Sequence, residues 1–314
     1  MRPTQIASAR LLSGLLALAC ASQLGCSPKR YALRKLADAL STGTGGSFAR
    51  DDDPTLVRDA LPFALKTMES LADGLDDHVA IRLALASGFT EYGYAFLQEE
   101  GDEAEAKDLA RAKELRARAR RLYLRARDYG LDGLRLACGI TLTALRGEEA
   151  ARTAALALAT KEDVPLLYWT LVPWAAAIAA DKRDLELVGD LQLLIAMLDR
   201  ALLLDEAFDA GALHEFSLAF DGARPGGTTR EKQQAHYARA LELGKGKKLS
   251  ARLAWAEQVL IAAQDRKAFE ALLGEVLAFD ADQPAARDQR LANLIAQRRA
   301  RFLLAHVEDF IATD

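Results

Sequence analysis

The sequence predicts an all-α protein, an array of helical hairpins that ends in a long C-terminal helix. Three observations support this prediction. Of the 314 residues, 51% are hydrophobic, and Ala, Leu and Arg are abundant while β-branched residues are few, which favours helices. From Pro54 onward, apolar residues recur at helical spacing, and no convincing alternating strand pattern appears. The helical pattern also contains a degenerate sequence repeat, in which a bulky residue is followed by a small one.

Residues 1–25 are predicted to be a lipoprotein signal peptide. Arg2 and Arg10 precede an apolar run, residues 11–19, that is shorter than the roughly 20 residues needed to span a bilayer. The segment Leu24-Gly25-Cys26-Ser27 has the form of a lipobox, so Cys26 is the predicted lipidation site and Cys20 is the rival site.

Acylation at Cys26 would provide stable anchoring to a membrane, and the residue after the cysteine, Ser27, favours the outer membrane. Simple secretion is the alternative. After cleavage, Cys138 is the one remaining free thiol, so no intramolecular disulfide is expected. Its apolar surroundings predict a small buried residue.

Residues 26–50 are interpreted as the lipidated N-terminus, a short helix over 31–41 and a Gly-rich linker at 43–46. The helical domain then covers 51–314. Its first helix begins with Asp53 as N-cap and Pro54 at the first helical position, a common helix start. Pro62 is predicted to kink that helix.

The next predicted helices cover residues 79–98 and 104–129, and Gly130 is interpreted as the C-cap of the second. A long helix over 285–311 caps the chain. The repeat consists of a bulky residue followed three positions later by a small one, with bulky positions 33 to 42 residues apart, around the 34-residue period of tetratricopeptide repeats. The pairs are Tyr123/Ala126, Leu156/Ala159, Leu198/Ala201, Tyr237/Ala240 and Leu273/Val276. An ordinary helical bundle is the alternative.

The sequence contains no motif for catalysis, metal binding or nucleotide binding. The four histidines show no metal-ligand spacing, and there is no G-x-S-x-G, H-E-x-x-H or phosphate loop. The net charge of −4 leaves no basic footprint for nucleic acid. We therefore predict a binding protein rather than an enzyme, with no cofactor and no metal.

Aromatic residues provide the candidate ligand-binding site. Phe89, Tyr92 and Phe96 are spaced to share one helix face, with Tyr94 off to the side. Tyr168, Trp169 and Trp174 cluster in the segment 164–174. Such side chains can line an apolar cleft, or they can simply pack the core. Arg298, on the apolar stripe of the last helix, is either an anion anchor or, in the favoured interpretation, a salt-bridged residue.

The chain resembles the T-component (TatT-like) lipoproteins of tripartite ATP-independent periplasmic (TRAP) transporters, from about Ser27 to Asp309. The segments that carry the resemblance include 33–41, 53–63, 86–90 with 94–96, 121–130, 163–169, 223–227, 290–294 and 297–301. It is their order and coverage, rather than any one segment, that makes the match specific.

The resemblance implies an α-helical fold with cryptic tetratricopeptide-like motifs, a lipid anchor facing the periplasm, and a homotrimer. It also implies a periplasmic solute-binding subunit as partner, and a cleft or pore suited to small hydrophobic ligands. No catalytic residues come with it. The alternative function is a helical-repeat scaffold lipoprotein that organises an envelope assembly without a small ligand.

Overall fold

The computed structural model describes residues 28–43, 46–223 and 226–312. Within these ranges all regular secondary structure is helical, which confirms the all-α prediction. The predicted signal peptide and its two cysteines, Cys20 and Cys26, lie outside the described residues, as does the Arg224-Pro225 pair.

The helices follow one another with short connections. In the first half they are α1 (Pro28–Gly43), α2 (Pro54–Ala72), α3 (Val79–Tyr92), α4 (Glu99–Ala104), α5 (Leu109–Cys138), α6 (Leu142–Arg146) and α7 (Glu149–Leu156). In the second half they are α8 (Val164–Ala180), α9 (Leu185–Gly189), α10 (Leu191–Asp205), α11 (Ala212–Ala223), α12 (Arg230–Gly244), α13 (Ser250–Trp255), α14 (Arg266–Ala278), α15 (Arg290–Ala305) and α16 (Val307–Phe310).

Two π-helical segments interrupt this regular pattern. The first, Gly93–Gln98, joins α3 to α4, and the second, Ala256–Leu260, extends α13. Short 3₁₀ helices lie at Phe48–Arg50, Lys161–Asp163, Phe208–Gly211 and Pro284–Gln289. The predicted C-terminal helix is therefore divided into a 3₁₀ turn, α15 and α16.

Local capping chemistry sets the start of α2 as the sequence predicts. The Asp53 carboxylate accepts hydrogen bonds from the backbone N–H groups of Thr55 (2.9 Å) and Leu56 (3.0 Å), next to Pro54 at the first helical position. The helix continues through Pro62 to Ala72.

The prediction that Gly130 ends a helix is wrong, because α5 runs on to Cys138 and its C-cap is Gly139, with φ of 78°. Gly130 instead lets α5 approach α8 closely. A Cβ atom at this position would lie 2.3 Å from Thr170 Oγ1, and one at Gly133 would lie 2.5 Å from Leu166 Cδ2. A glycine in a helical sequence can thus mark a helix crossing rather than a terminus.

Helix α8 lies at the centre of the molecule, packed against α5, α3 and α10. Together with residues 161–163 it is long and apolar enough to pass for a membrane span, but half of that window is buried inside the protein. Helices that are apolar on all sides are also found in protein cores, and α8 is explained in that way. The other cores lie beneath α1–α3 and among α13–α15.

The bulky and small residues of the repeat lie in these cores. All members of the five pairs are buried except Tyr237, which is half-buried. Ala159 follows the end of α7, so the Leu156/Ala159 pair is not contained in one helix. Burial of the pairs fits either a repeat array or a bundle, and the tetratricopeptide-like arrangement stays a prediction.

Candidate functional site

A cavity of about 800 Å³ lies inside the helical domain. Its walls come from segments far apart in the chain: α2, the α3–π–α4 helix, α8, α11, α13 with its π-helix, and α15. Most of its lining is apolar. This size and character match those of ligand-binding cavities in general, which measure about 300–1,000 Å³ and carry a few polar groups among apolar ones.

One face of α8 forms the aromatic wall of the cavity. Tyr168 and Trp169 line it at the start of this face, and Val172, Ala175, Ala176 and Ala179 continue it. The Tyr168 ring lies 5.0 Å from that of Trp169 in an edge-to-face arrangement and 5.3 Å from that of Phe208, which also lines the cavity. The small alanines below leave the open volume.

Of Phe89, Tyr92 and Phe96, which were predicted to share one face of a helix over 79–98, only Phe96 reaches the cavity. Phe89 is buried and stacks on Tyr129 at 6.2 Å, while Tyr92 packs against Phe96 at 5.6 Å without lining the cavity. Tyr94, which the helical period placed off to the side, does line the cavity. A π-helix bonds residue i to i+5, so helical spacing no longer indicates the face on which a residue lies.

Trp174 and Arg298 lie away from the cavity. The Trp174 ring is fully buried, and its Nε1–H donates to Asp190 Oδ2 at 3.2 Å. Arg298 forms a bidentate ion pair with Glu103, at 2.9 and 2.8 Å. That pair joins α15 to α4, and Arg299 adds a bond of 3.0 Å to Asp102. These contacts connect the two ends of the domain outside the cavity.

Carboxylates form a large part of the polar lining. Glu91 is an exposed residue whose surface borders the cavity, and desolvation by the surrounding walls, helped by the nearby charge of Asp209, raises its pKa to about 7. Burial raises the pKa of Glu99 to about 8, although Arg299 and Arg298 oppose the rise. Burial also raises the pKa of Glu215. Acidic groups in an enclosed apolar space lose hydration, which penalises their charged form.

The phenols beside these acids stay neutral. Tyr94 is 39% exposed, on its cavity side, and Tyr168 is half-buried; desolvation by the surrounding walls raises the pKa of both well above the usual value, and neighbouring carboxylates add to the effect. Each phenol therefore keeps its proton and can donate or accept a hydrogen bond inside the cavity. The arrangement can bind and orient a ligand. Among the described residues, no group of three or more His, Cys, Asp or Glu could hold a metal ion.

The acidic lining was missed by sequence reasoning. Glu91 and Glu99 lie among many acids that pair with Arg or Lys on solvated faces, and nothing in the local pattern distinguishes them. The aromatic residues around Tyr94 were a signal for the cavity in the sequence. The interruption of the α-helical period at the π-helix obscured which of them line it. Glu215 and Asp209 come from a different segment, so only the fold brings them to the same cavity.

Comparison with known proteins gives two findings. A family model described as TRAP transporter T-component matches residues 50–311. An uncharacterized protein of Treponema pallidum (strain Nichols) is 28% identical over 307 residues, which covers 93% of this chain and 94% of that protein. The family match includes every segment that lines the cavity apart from the two residues at 48 and 49, which precede it.

Proposed function

The chain belongs to the TRAP transporter T-component family, and from this we propose that it is a lipid-anchored periplasmic accessory protein that docks a solute-binding subunit and binds a small hydrophobic ligand. Family membership supports an accessory role in transport and a place in the cell envelope. The observation that carries the ligand-binding part is the cavity of about 800 Å³ with its aromatic wall on α8. Nothing in the family or the lining recommends catalysis.

The ligand-binding residues proposed from the sequence narrow to those on the cavity wall. Phe96, Tyr168 and Trp169 remain, and Tyr94 and Phe208 join them. An apolar molecule buried against such rings gains about 25 cal/mol for each Å² of apolar surface removed from water. Phe89, Tyr92, Trp174 and Arg298 lie outside the lining, where they pack or pair as described above, and we assign them no ligand contact.

Binding is tested with N-phenylnaphthylamine, a neutral apolar fluorescent dye, and with native mass spectrometry of the purified protein. We expect Trp169→Ala to weaken dye binding about tenfold, because it removes a large apolar surface from the wall. Phe63→Ala is the matched control, since Phe63 is 80% exposed on α2 and lies outside the cavity. Unchanged dye affinity in a folded Trp169→Ala protein would remove the ligand-binding proposal and leave the scaffold function.

The partner and the assembly need separate tests. A pull-down with a TRAP-type solute-binding protein of the same organism should recover a complex, and native mass spectrometry should show three copies of the chain per particle. Failure to capture that protein would contradict docking, and a monomer at micromolar concentration would contradict the trimer that the family resemblance implies.

The anchor is tested at the cysteines. We expect Cys26→Ser to move the protein from the membrane to the soluble periplasmic fraction, because acylation of Cys26 supplies the proposed attachment. Cys20→Ser is the matched control and should stay at the membrane. The reverse result would assign acylation to Cys20. If neither variant becomes soluble, lipid anchoring at these two sites is contradicted.

A further inference from the structure

The ionisable side chains in the described lining of the cavity are all acidic. Among the described residues that form it there is no Lys, Arg or His, while six acidic residues line it: Glu91, Glu99, Asp209, Glu215, Glu257 and Asp288. Charges within an apolar enclosure interact more strongly than at a surface, because little water screens them. The cavity therefore disfavours an anionic ligand and favours a cationic one.

Several of these carboxylates already have a partner. The buried Lys248 ammonium lies 3.1 Å from Asp209 and 3.3 Å from Glu215, and these two acids raise its pKa despite burial. Glu257 pairs with Arg299 at 2.6 Å. These contacts lie within the protein wall and need no ligand.

Glu99 differs from them. Its side chain is 2% exposed and lines the cavity, yet neither carboxylate oxygen has a hydrogen-bond partner. The two nearest arginines are directed elsewhere, Arg298 to Glu103 and Arg299 to Asp102 and Glu257. A buried polar group without a hydrogen bond costs about 1–3 kcal/mol, so native structures rarely leave one unless something satisfies it.

The aromatic wall lies some distance from Glu99. Tyr168, Trp169 and Phe208 gather near Glu91, since the acids around Tyr168 are Glu215, Asp209 and Glu91. Glu91 and Glu99 are eight residues apart on one nearly continuous helix, about 12 Å at a rise of about 1.5 Å per residue. A ligand with a charged head at Glu99 and an apolar body about that long would reach the aromatic rings.

We propose that the cavity binds an apolar organic cation, an alkyl or aryl ammonium, whose charged group is held by the Glu99 carboxylate while its body lies along α8 towards Tyr168 and Trp169. This inference rests on the proposed ligand-binding function and names its ligand class. The raised pKa of Glu99 agrees with it, because a carboxyl without a counter-ion keeps its proton and an incoming ammonium stabilises the ionised form. The neutral phenol of Tyr94 beside it can accept a second ammonium hydrogen.

The test compares three probes that have an alkyl chain of similar length and differ in their head group: decylamine, decanol and decanoate. Their binding is measured by calorimetric titration of the full mature protein. We expect decylammonium to bind at least about tenfold more tightly than decanoate, the size of a charge-assisted hydrogen bond. Glu99→Gln should remove most of this preference and leave decanol binding unchanged. Glu149→Gln is the matched control, since Glu149 is exposed on α7 and distant from the cavity lining.

The outcomes separate the two proposals. The cation proposal is overturned if decanoate binds as tightly as decylamine, or if the Glu99→Gln protein keeps the preference for the amine. Ligand binding itself stands in both cases. If none of the three probes binds, both proposals fail. Thermal unfolding of Glu99→Gln checks that the variant is folded, and we expect it to be at least as stable as the parent protein, because the amide does not have to take up a proton to be buried.

Discussion

The two faces of α8 have the same apolar composition and different environments. One face, with Leu167, Leu171 and Trp174, is fully buried against the neighbouring helices. The other, with Tyr168, Trp169 and Ala176, lines the cavity. Side-chain type does not separate them, since each face carries a tryptophan. The comparison teaches that one aromatic cluster in the sequence can supply both core residues and cavity-lining residues, and that the position of each residue around the helix axis decides which of the two it becomes.

The largest expected effect of a change on α8 is at Trp174. Trp174→Ala should lower the free energy of unfolding by about 3–5 kcal/mol, because it leaves a large cavity in a closed core. It also removes the hydrogen bond to Asp190 and the contact of the Arg127 guanidinium with the ring at 5.3 Å. Urea unfolding followed by circular dichroism measures this loss.

Trp169→Ala serves as the matched comparison on the same helix. It should cost well below half as much, since Trp169 is only partly buried and already borders open volume. Equal losses for the two tryptophans would show that the faces do not differ in packing, and would break the comparison.

Two adjacent alanines test the same difference between the core face and the cavity face of α8, with smaller expected effects. Ala177 is fully buried in the core, whereas Ala176 lines the cavity. Ala177→Leu should destabilise the protein by about 1–3 kcal/mol, because overpacking forces neighbouring side chains out of their rotamers. Ala176→Leu should leave stability within about 1 kcal/mol and weaken binding of the dye, because the added carbons occupy the cavity. Thermal melts and dye titration on both variants distinguish these outcomes, and a reversed order would contradict the assigned faces.

A pH dependence of stability is also expected from the cavity lining. The pKa of Glu99 is raised from 4.5 to about 8 by burial, with Glu257 and Glu103 adding to the rise and Arg299 and Arg298 opposing it. Between these values the folded state holds a proton that the unfolded chain has lost, so this group lowers stability as pH rises through the window.

The amide introduced by Glu99→Gln cannot ionise. The free energy of unfolding of this variant, relative to that of the parent protein, should therefore increase across this window by at least about 1 kcal/mol. Urea unfolding at both ends of the window measures it. Glu149→Gln should show no such growth, and a constant difference for Glu99→Gln would mean that the carboxyl is not desolvated.

Several local features were predictable from the sequence for a clear reason. The Asp53 cap with Pro54, the all-helical content and the apolar character of residues 164–180 are each encoded within a short window. The salt-bridged interpretation of Arg298 was also favoured from its place on an apolar stripe, and the bidentate pair with Glu103 confirms it. Its partner could not be foreseen, because 195 residues separate the two.

Other features were mispredicted where local and tertiary signals compete. Gly130 has the residue type of a C-cap, yet its role is to admit Thr170 of the crossing helix. Phe89, Tyr92 and Phe96 were placed together by a regular period that the π-helix at Gly93–Gln98 interrupts. In both cases the sequence pattern was real, but a contact with another helix or a change of helix type altered its meaning.

By itself the sequence determined the helical class, the start of α2 and the family, because capping residues, helical period and ordered motifs are properties of consecutive residues. The tertiary structure alone decided which face of α8 is core and which is cavity, and it brought Glu91, Glu99 and Glu215 to one enclosed space. The physical reason is that desolvation depends on everything that surrounds a group. Here the surroundings come from helices at both ends of the domain, joined by the pairs from Arg298 and Arg299 to Glu103 and Asp102.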